Sequence, residues 1–190
     1  MTNVPVQEKM TAGEFLALAP PEGAQRRELI DGEVVVNEPA VLHVLVQTNL
    51  LVALAVWTRA QPLRGQALIP LDVELDEHDV FVPDVLWYAH GRVPDPSSSP
   101  PYPVPDVAAE VRSPSTWQYD IGAKKARYER EGLPELWLVD TLVRKVLVFR
   151  RSRPGGSTFD VAVELGEADE LASPLLPGFA LAVAEVFRLS

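Results

Sequence analysis

The apolar and polar positions in the first third of the chain predict a short helix, a hairpin and a long helix. Thr11 and Glu14 have capping-box spacing before an apolar stretch, which predicts a short helix that Pro20 and Pro21 end. The pair at 31–32, Asp-Gly, separates two apolar runs and predicts a β-hairpin. Residues 40–59 are largely apolar and lack Gly and Pro, so they predict a long and mostly buried helix.

The rest of the chain alternates between short apolar runs and turn signals. Residues 91–105 are rich in proline and serine, and they predict a long surface loop because proline has no N–H for a helix or an interior strand. Predicted strands cover 66–75, 81–88, 106–112, 135–140, 144–150 and 159–163, and predicted helices cover 119–131 and 181–187. This order predicts a mixed β-sheet flanked by helices, an α/β (mixed α+β) fold, in a single domain spanning residues 1–190.

Composition and charge narrow the classes of function. The chain has 17 Lys and Arg against 27 Asp and Glu, a net charge of −10, which argues against a protein that coats nucleic acid by bulk charge. It has no cysteine, which excludes disulfides and Cys-based metal sites. The longest uninterrupted apolar run, 50–57, is shorter than the roughly 20 residues of a membrane-spanning helix. We therefore expect a cytoplasmic protein without a membrane partner.

Three segments place ionisable groups where local structure predicts burial. Asp84 is the only charge in the apolar segment 81–88, and Glu110 lies in the middle of the small apolar strand 106–112. Two buried carboxylates on neighbouring strands repel each other, and a divalent cation relieves that repulsion. Oxygen ligands without Cys favour Mg²⁺ or Mn²⁺. Asp120, Lys124 and Tyr128 are spaced i, i+4, i+8 on one helix face, so the Lys124 ammonium can reach the same site.

Each of these residues also has a purely structural interpretation. Asp84 follows a proline and suits a turn or an edge position, and Glu110 can form an ion pair with Arg112 or Lys124. Asp120 with Lys124 can be a solvated helix pair. His43 lies on the apolar helix, where a core histidine and a functional one are both compatible with the pattern. These alternatives remain open on the sequence pattern alone.

Six segments, in this order, resemble one known family over nearly the whole chain. Together they resemble the Uma-two family of restriction-endonuclease-like proteins, in the PD-(D/E)XK nuclease superfamily. The segments are 10–15 (MTAGEF), 27–33 (RELIDGE), 82–85 (VPDV), 105–116 (PDVAAEVRSPST) with the helix after it, 131–140 (EGLPELWLVD) and 173–179 (SPLLPGF).

The resemblance implies a restriction-endonuclease-like core, with an N-terminal hairpin and a long helix, and assigns roles to particular residues. Asp84, Glu110, Lys124 and Glu28 are the implied catalytic residues. The implied metal ligands are Asp84, Glu110 and the carbonyl of Val111. Position 112, where the superfamily has a lysine, holds arginine, which cannot easily lose a proton. In this family the lysine comes from the following helix, which gives Lys124 the role, with Lys125 as the alternative.

The leading hypothesis is therefore an endonuclease that hydrolyses DNA phosphodiester bonds with Mg²⁺ or Mn²⁺. The proline-rich loop 91–105 and the basic stretch 144–153 are candidate DNA contacts. The main alternative is a catalytically inactive binding or assembly protein with the nuclease fold, which the acidic net charge favours. A third hypothesis is a hydrolase of a small phosphorylated molecule. We also expect a possible homodimer, because a single small site cuts one strand only.

Overall fold

The computed structural model describes residues 9–19, 25–113 and 116–189. The predicted short helix is confirmed: Thr11 caps α1 (Ala12–Leu16) and forms the capping box with Glu14. The predicted stop at Pro20 and Pro21 lies outside the described residues, and α1 ends at Leu16. The other helices are α2 (Val41–Ala60), α3 (Trp117–Tyr119), a π-helical segment (Asp120–Lys124), α4 (Lys125–Arg130) and α5 (Val183–Val186).

The predicted hairpin begins a small antiparallel sheet. Its turn residues Asp31 and Gly32 both have positive φ, 51° and 78°, the conformation that a two-residue hairpin turn requires. The hairpin is β1 (Arg26–Ile30) and β2 (Glu33–Asn37). The sheet also contains β4 (Val73–Asp76) and β5 (Asp79–Phe81). β1 pairs with β5 as well as with β2, and the strand order is β2-β1-β5-β4.

A mixed sheet forms the centre of the fold, which confirms the predicted architecture. The strands lie in the order β10-β9-β8-β7-β6-β3, and only β7 and β8 are parallel. A third sheet pairs β11 with β12. The remaining strands are β3 (Gln66–Leu68), β6 (Val85–Tyr88), β7 (Val107–Val111), β8 (Glu135–Asp140), β9 (Lys145–Arg150), β10 (Val161–Leu165), β11 (Glu170–Leu171) and β12 (Leu181–Ala182).

Side-chain alternation along β7 divides the core into two layers. Val107, Ala109 and Val111 pack on the face that α2 and the C-terminal residues cover. Ala108 packs on the opposite face, among residues of the small sheet and of the helical run after β7. Glu110 lies between Ala109 and Val111 in the strand, so its side chain points to the same side as that of Ala108, and it is also buried.

Two predicted strands are each divided in two. Residues 66–75 form β3 and β4, and residues 81–88 continue from β5 into β6; in both cases the halves belong to different sheets. The physical reason is proline: Pro70 and Pro83 lie at the breaks and have no N–H to donate to a strand partner. The predicted C-terminal helix 181–187 is also shorter, because its first two residues pair as β12.

The long helix α2 is confirmed, but its predicted burial is wrong. One face packs into the core, whereas Val41, Val52 and Val56 are exposed on the other. Within the described ranges, α2 is the one helix with the length and apolar composition of a membrane span, and its most apolar window has a mean hydropathy of 1.7 with 39% of it buried. A core helix of a soluble protein passes the same test, so a single such helix is weak support for a membrane span.

Candidate active site

The centre of the site is the buried ammonium of Lys124, which contacts three carboxylates. Its Nζ lies 2.8 Å from Glu110 Oε1, 2.9 Å from Glu28 Oε1 and 3.2 Å from Asp120 Oδ1. Only 1% of Lys124 is exposed. These four residues come from β1, β7 and the helical run 117–130, so the fold brings together groups that are distant in sequence.

The strand break at Pro83 positions both Glu28 and Asp84. The backbone N–H of Val82, just after β5, donates to Glu28 Oε1 at 2.7 Å. Asp84 lies just before β6, and its Oδ2 accepts the N–H of Val111 at 2.8 Å. Because Val111 follows Glu110, this bond fixes the Asp84 carboxylate next to the Glu110 strand. The division of the predicted strand is therefore what turns Asp84 toward β7.

Asp84 has three further partners that the sequence pattern did not assign to the site. Its Oδ1 accepts Arg26 at 2.8 Å and lies 2.9 Å from His43 Nε2. Gln47, one turn after His43 on α2, donates to the backbone carbonyl of Asp84 at 2.7 Å. The i, i+4 spacing of His43 and Gln47 was a sequence signal that two polar groups share the inner face of α2.

The π-helical segment aligns the polar face of the helical run. In a regular α-helix, every fourth residue is rotated about 40° past a full turn, so an i, i+4, i+8 series drifts around the helix. A π turn is wider, and four residues fall short of a full turn. One π turn (Asp120–Lys124) followed by α4 therefore offsets the drift. As a result Tyr128 reaches the same strand and donates to Glu110 Oε1 at 2.7 Å.

Burial and mutual repulsion set the protonation of the carboxylates. Burial raises the pKa of Glu110 well above its ordinary value; Lys124 lowers it, and Glu28, Asp120 and Asp84 raise it further. Burial also raises the pKa of Glu28 and of Asp120, against the lowering by Lys124. Burial alone would lower the pKa of Lys124, but the carboxylates raise it well above its ordinary value. Lys124 is therefore an ammonium here, which can orient groups but cannot accept a proton.

The predicted site residues lie together in the structure. Glu28, Asp84, Glu110 and Lys124 lie together with the backbone of Val111 around one small cavity of about 20 Å³, room for a single water molecule or ion. The interpretation of Asp120 with Lys124 as a solvated pair is wrong, because both residues are buried. Asp84 does lie in a bend, as the turn interpretation expects, but its side chain is buried and bonded to Val111.

Two basic residues that were considered for the site lie elsewhere. Lys125 stacks over Phe149, with its Nζ 4.6 Å from the ring centroid. Arg112, at the superfamily's lysine position, binds Asp140 with both N–O distances near 3 Å. Glu110 consequently pairs with Lys124 and not with Arg112.

The basic stretch 144–153 is largely engaged within the protein. Arg144 contacts Glu167 at 2.6 Å, and Lys145 pairs with Glu164. Arg151 donates to the carbonyl of Leu133 at 3.0 Å. The role of this stretch and of the loop 91–105 as DNA contacts stays a prediction.

The donor chemistry fits a hard divalent cation, although the arrangement is not a ready-made metal site. Across residues 9–19, 25–113 and 116–189, no three His, Asp or Glu side chains are grouped closely enough to hold a metal ion. The donors at the cavity are nevertheless carboxylate oxygens with the Val111 backbone beside them. Four carboxylates (Glu28, Asp84, Glu110 and Asp120) face two permanent cations, Arg26 and Lys124. When these acids are ionised, the excess of two negative charges matches one divalent ion.

Comparisons with known proteins identify a nuclease-like family and fold. The sequence pattern of the Uma2 family, described as "Putative restriction endonuclease", matches residues 12–184. A crystal structure from Anabaena variabilis, titled as "a putative nuclease belonging to DUF820", has the same fold with a TM-score of 0.73. The two chains are 20% identical, and the match covers 94% of this chain and 97% of the other. No curated protein matches the sequence.

Proposed function

Since the chain belongs to the Uma2 family of restriction-endonuclease-like proteins, we propose that it hydrolyses phosphodiester bonds of DNA with a bound Mg²⁺ or Mn²⁺ ion. Asp84, Glu110 and the carbonyl of Val111 would hold the ion. Glu28 and Lys124 would contact the attacking water and the phosphate. When bound, such an ion polarises the phosphate and lowers the pKa of its water.

One observation carries the proposal: four buried carboxylates share two permanent cations around a cavity of one-ion size. An arrangement that served stability alone would pair its charges, since an unpaired buried charge costs several kcal/mol. Burial is the main cause of the raised pKa of Glu110, and the neighbouring carboxylates Glu28, Asp120 and Asp84 raise that pKa further. A divalent cation supplies the missing positive charge.

The residues of the chain then have distinct tasks. The Lys124 ammonium donates to its neighbours and can stabilise the negative charge that develops on a phosphoryl oxygen. Tyr128 and Lys124 together fix the orientation of Glu110, and Val111 N–H fixes that of Asp84. Arg26 is 28% exposed at its side chain and lies at the rim of the cavity, where it can meet a phosphate.

The test is metal-dependent cleavage by matched variants. Supercoiled plasmid and a single-stranded oligonucleotide are incubated with Mn²⁺ or with EDTA and wild type, Glu110→Gln or Glu135→Gln. Glu135 is the matched control, because it is a buried glutamate on the neighbouring strand β8 that lies outside the site. We expect cleavage by wild type and the control, and a loss of about 100-fold or more in Glu110→Gln, because this variant lacks a proposed metal ligand. Equal cleavage by all three proteins would refute the assignment.

The alternative, a binding or assembly protein that kept the fold without catalysis, has one specific observation in its favour. Each of the four carboxylates already accepts hydrogen bonds or ion pairs from the protein, so the site is internally satisfied. Calorimetric titration with Mn²⁺ separates the two functions. Saturable binding that Glu110→Gln removes supports the nuclease, whereas no binding near neutral pH supports the alternative.

A further inference from the structure

The outward face of α2 is apolar from Val41 to Val56, apart from Thr48. We call its exposed aliphatic residues the outer stripe: Val41, Leu42, Val44, Leu45, Val52 and Val56. Their exposed fractions run from 36% at Leu45 to 77% at Val41. The stripe runs from Val41 to Val56, so it extends over about 22 Å of the helix. A contiguous apolar surface of this length is uncommon on a monomeric soluble protein.

The stripe cannot turn inward to hide its side chains. Val46, Leu50 and Leu54 on the opposite face are in the main core, and each is at most 1% exposed. His43 and Gln47 on that face are bonded to Asp84. These contacts fix the rotation of α2 about its axis. The stripe is therefore a permanent feature of the surface.

The outer stripe also offers no polar group that needs a partner. Residues 41–58 contain no Asp, Glu, Lys or Arg. Thr48 lies between Leu45 and Val52, and its hydroxyl donates to the carbonyl of Val44 at 2.7 Å, within the same helix. A charge-free surface whose single hydroxyl is already bonded is complementary to another surface of the same kind.

These features favour a second copy of this chain as the partner that covers the outer stripe. Each copy carries a net charge of −10, so two copies repel each other unless they meet where the charge is absent, as it is on the outer stripe. The six exposed residues present on the order of 500 Å² per copy, so a symmetric pair would bury at most about 1,000 Å², the size at which specific interfaces begin. A twofold contact needs one self-complementary patch, and a single straight helix face provides it.

We propose that the outer stripe of α2 packs against the same stripe of a second copy, with the twofold axis near Thr48 and Val52. Thr48 and Val52 lie near the middle of the stripe, so helices that cross there bring the aliphatic residues of both ends together. The proposal is independent of any nuclease activity, because it concerns only the association of the folded chain.

The first test is the oligomeric state of the full chain and of two acidic variants. Light scattering after size exclusion is measured over a range of micromolar concentrations for wild type, Val52→Asp and Leu142→Asp. Leu142 is the matched control, since it is also an exposed aliphatic residue (73%) but lies between β8 and β9, away from the stripe. We expect twice the chain mass of 20.9 kDa for wild type and the control, and at least 100-fold weaker dimerisation for Val52→Asp.

A second test uses the absence of cysteine from the chain. Val52→Cys and Leu142→Cys each introduce one thiol into an otherwise thiol-free protein, and mild oxidation is followed by non-reducing electrophoresis. We expect a crosslinked dimer for Val52→Cys at a concentration where Leu142→Cys stays monomeric. Flotation with phosphatidylcholine vesicles tests a lipid surface as the occupant. A wild-type monomer at high micromolar concentration, or equal crosslinking of the two cysteine variants, or a monomer that floats with vesicles, would overturn the proposal.

Discussion

Replacing Lys124 with methionine tests how the buried charges of the site depend on one another. Methionine keeps the length and most of the volume of the side chain but removes the ammonium. That ammonium contacts Glu110, Glu28 and Asp120 at 2.8 to 3.2 Å. In the variant these three carboxylates have lost their shared cation inside the protein.

The expected cost is large because the group is buried. Removing one partner of a buried ion pair costs about 3–5 kcal/mol, since the remaining charge is left without compensation. A domain of this kind has a free energy of unfolding of about 5–15 kcal/mol, so Lys124→Met removes a large fraction of it. With a urea m-value of about 2 kcal/mol/M, the unfolding midpoint falls by roughly 2 M.

Lys125→Met is the control, because it changes the neighbouring lysine in the same way. The Lys125 ammonium lies over the rings of Phe149 and Phe159, and no ion pair joins it to a carboxylate within residues 9–19, 25–113 and 116–189. Losing such a cation–π contact costs about 0.5–1 kcal/mol. Both variants and wild type are unfolded in urea with EDTA, and tryptophan fluorescence follows the transition. Equal midpoints for the two variants would refute the account of the site.

The same measurement with Mn²⁺ in place of EDTA tests whether a divalent ion can replace the lost ammonium. On the proposed function, an ion in the cavity would compensate the carboxylates that Lys124→Met leaves unpaired. Mn²⁺ at 100 times its dissociation constant adds about 2.7 kcal/mol of stability. We expect a larger Mn²⁺-induced rise of the midpoint in Lys124→Met than in wild type. If Mn²⁺ changed neither midpoint, the proposed metal binding at this cavity would be contradicted.

Two further predictions follow from buried polar groups. Burial raises the pKa of Glu135, so its contribution to stability is present at low pH and is lost as the pH rises through the raised value. Glu135→Gln keeps partners for Trp137 and Ser173 and cannot ionise. The free energy of unfolding of the variant relative to wild type should therefore increase as the pH rises above the ordinary glutamate pKa of 4.5, and a difference that stays constant with pH would contradict this. His43→Phe removes the contact to Asp84 at similar volume, and calorimetry should show Mn²⁺ affinity weakened by about 10–100-fold; unchanged affinity would contradict a positioning role.

Part of the site could be predicted from the sequence, because it contains charged residues at positions where the local pattern predicts burial. Glu110 lies among small apolar residues of a strand, and a glutamate buried there needs a cation or a hydrogen-bond donor as partner. The helix spacing then identifies Lys124 as a group on the same face as Asp120. Glu28 was different: its place came from the family resemblance, since nothing in the pattern of β1 sets it apart.

What the sequence could not reveal depends on contacts between distant elements. Arg26 and His43 meet at Asp84 only because β1 and α2 pack on either side of the strand break, and local pattern does not encode that meeting. The burial of α2 was overestimated for a related reason. A helix that is apolar on every side can be covered on one side or on both, and the fold leaves Val52 uncovered.

The most direct test of the nuclease assignment is the location of Mn²⁺ in crystals of the protein soaked with the ion. The anomalous signal of Mn²⁺ marks its position independently of activity. We expect one strong peak within ligand distance of Asp84, Glu110 and the carbonyl of Val111. A peak at surface acids alone, or no peak beside Glu110 at millimolar Mn²⁺, would contradict the central claim.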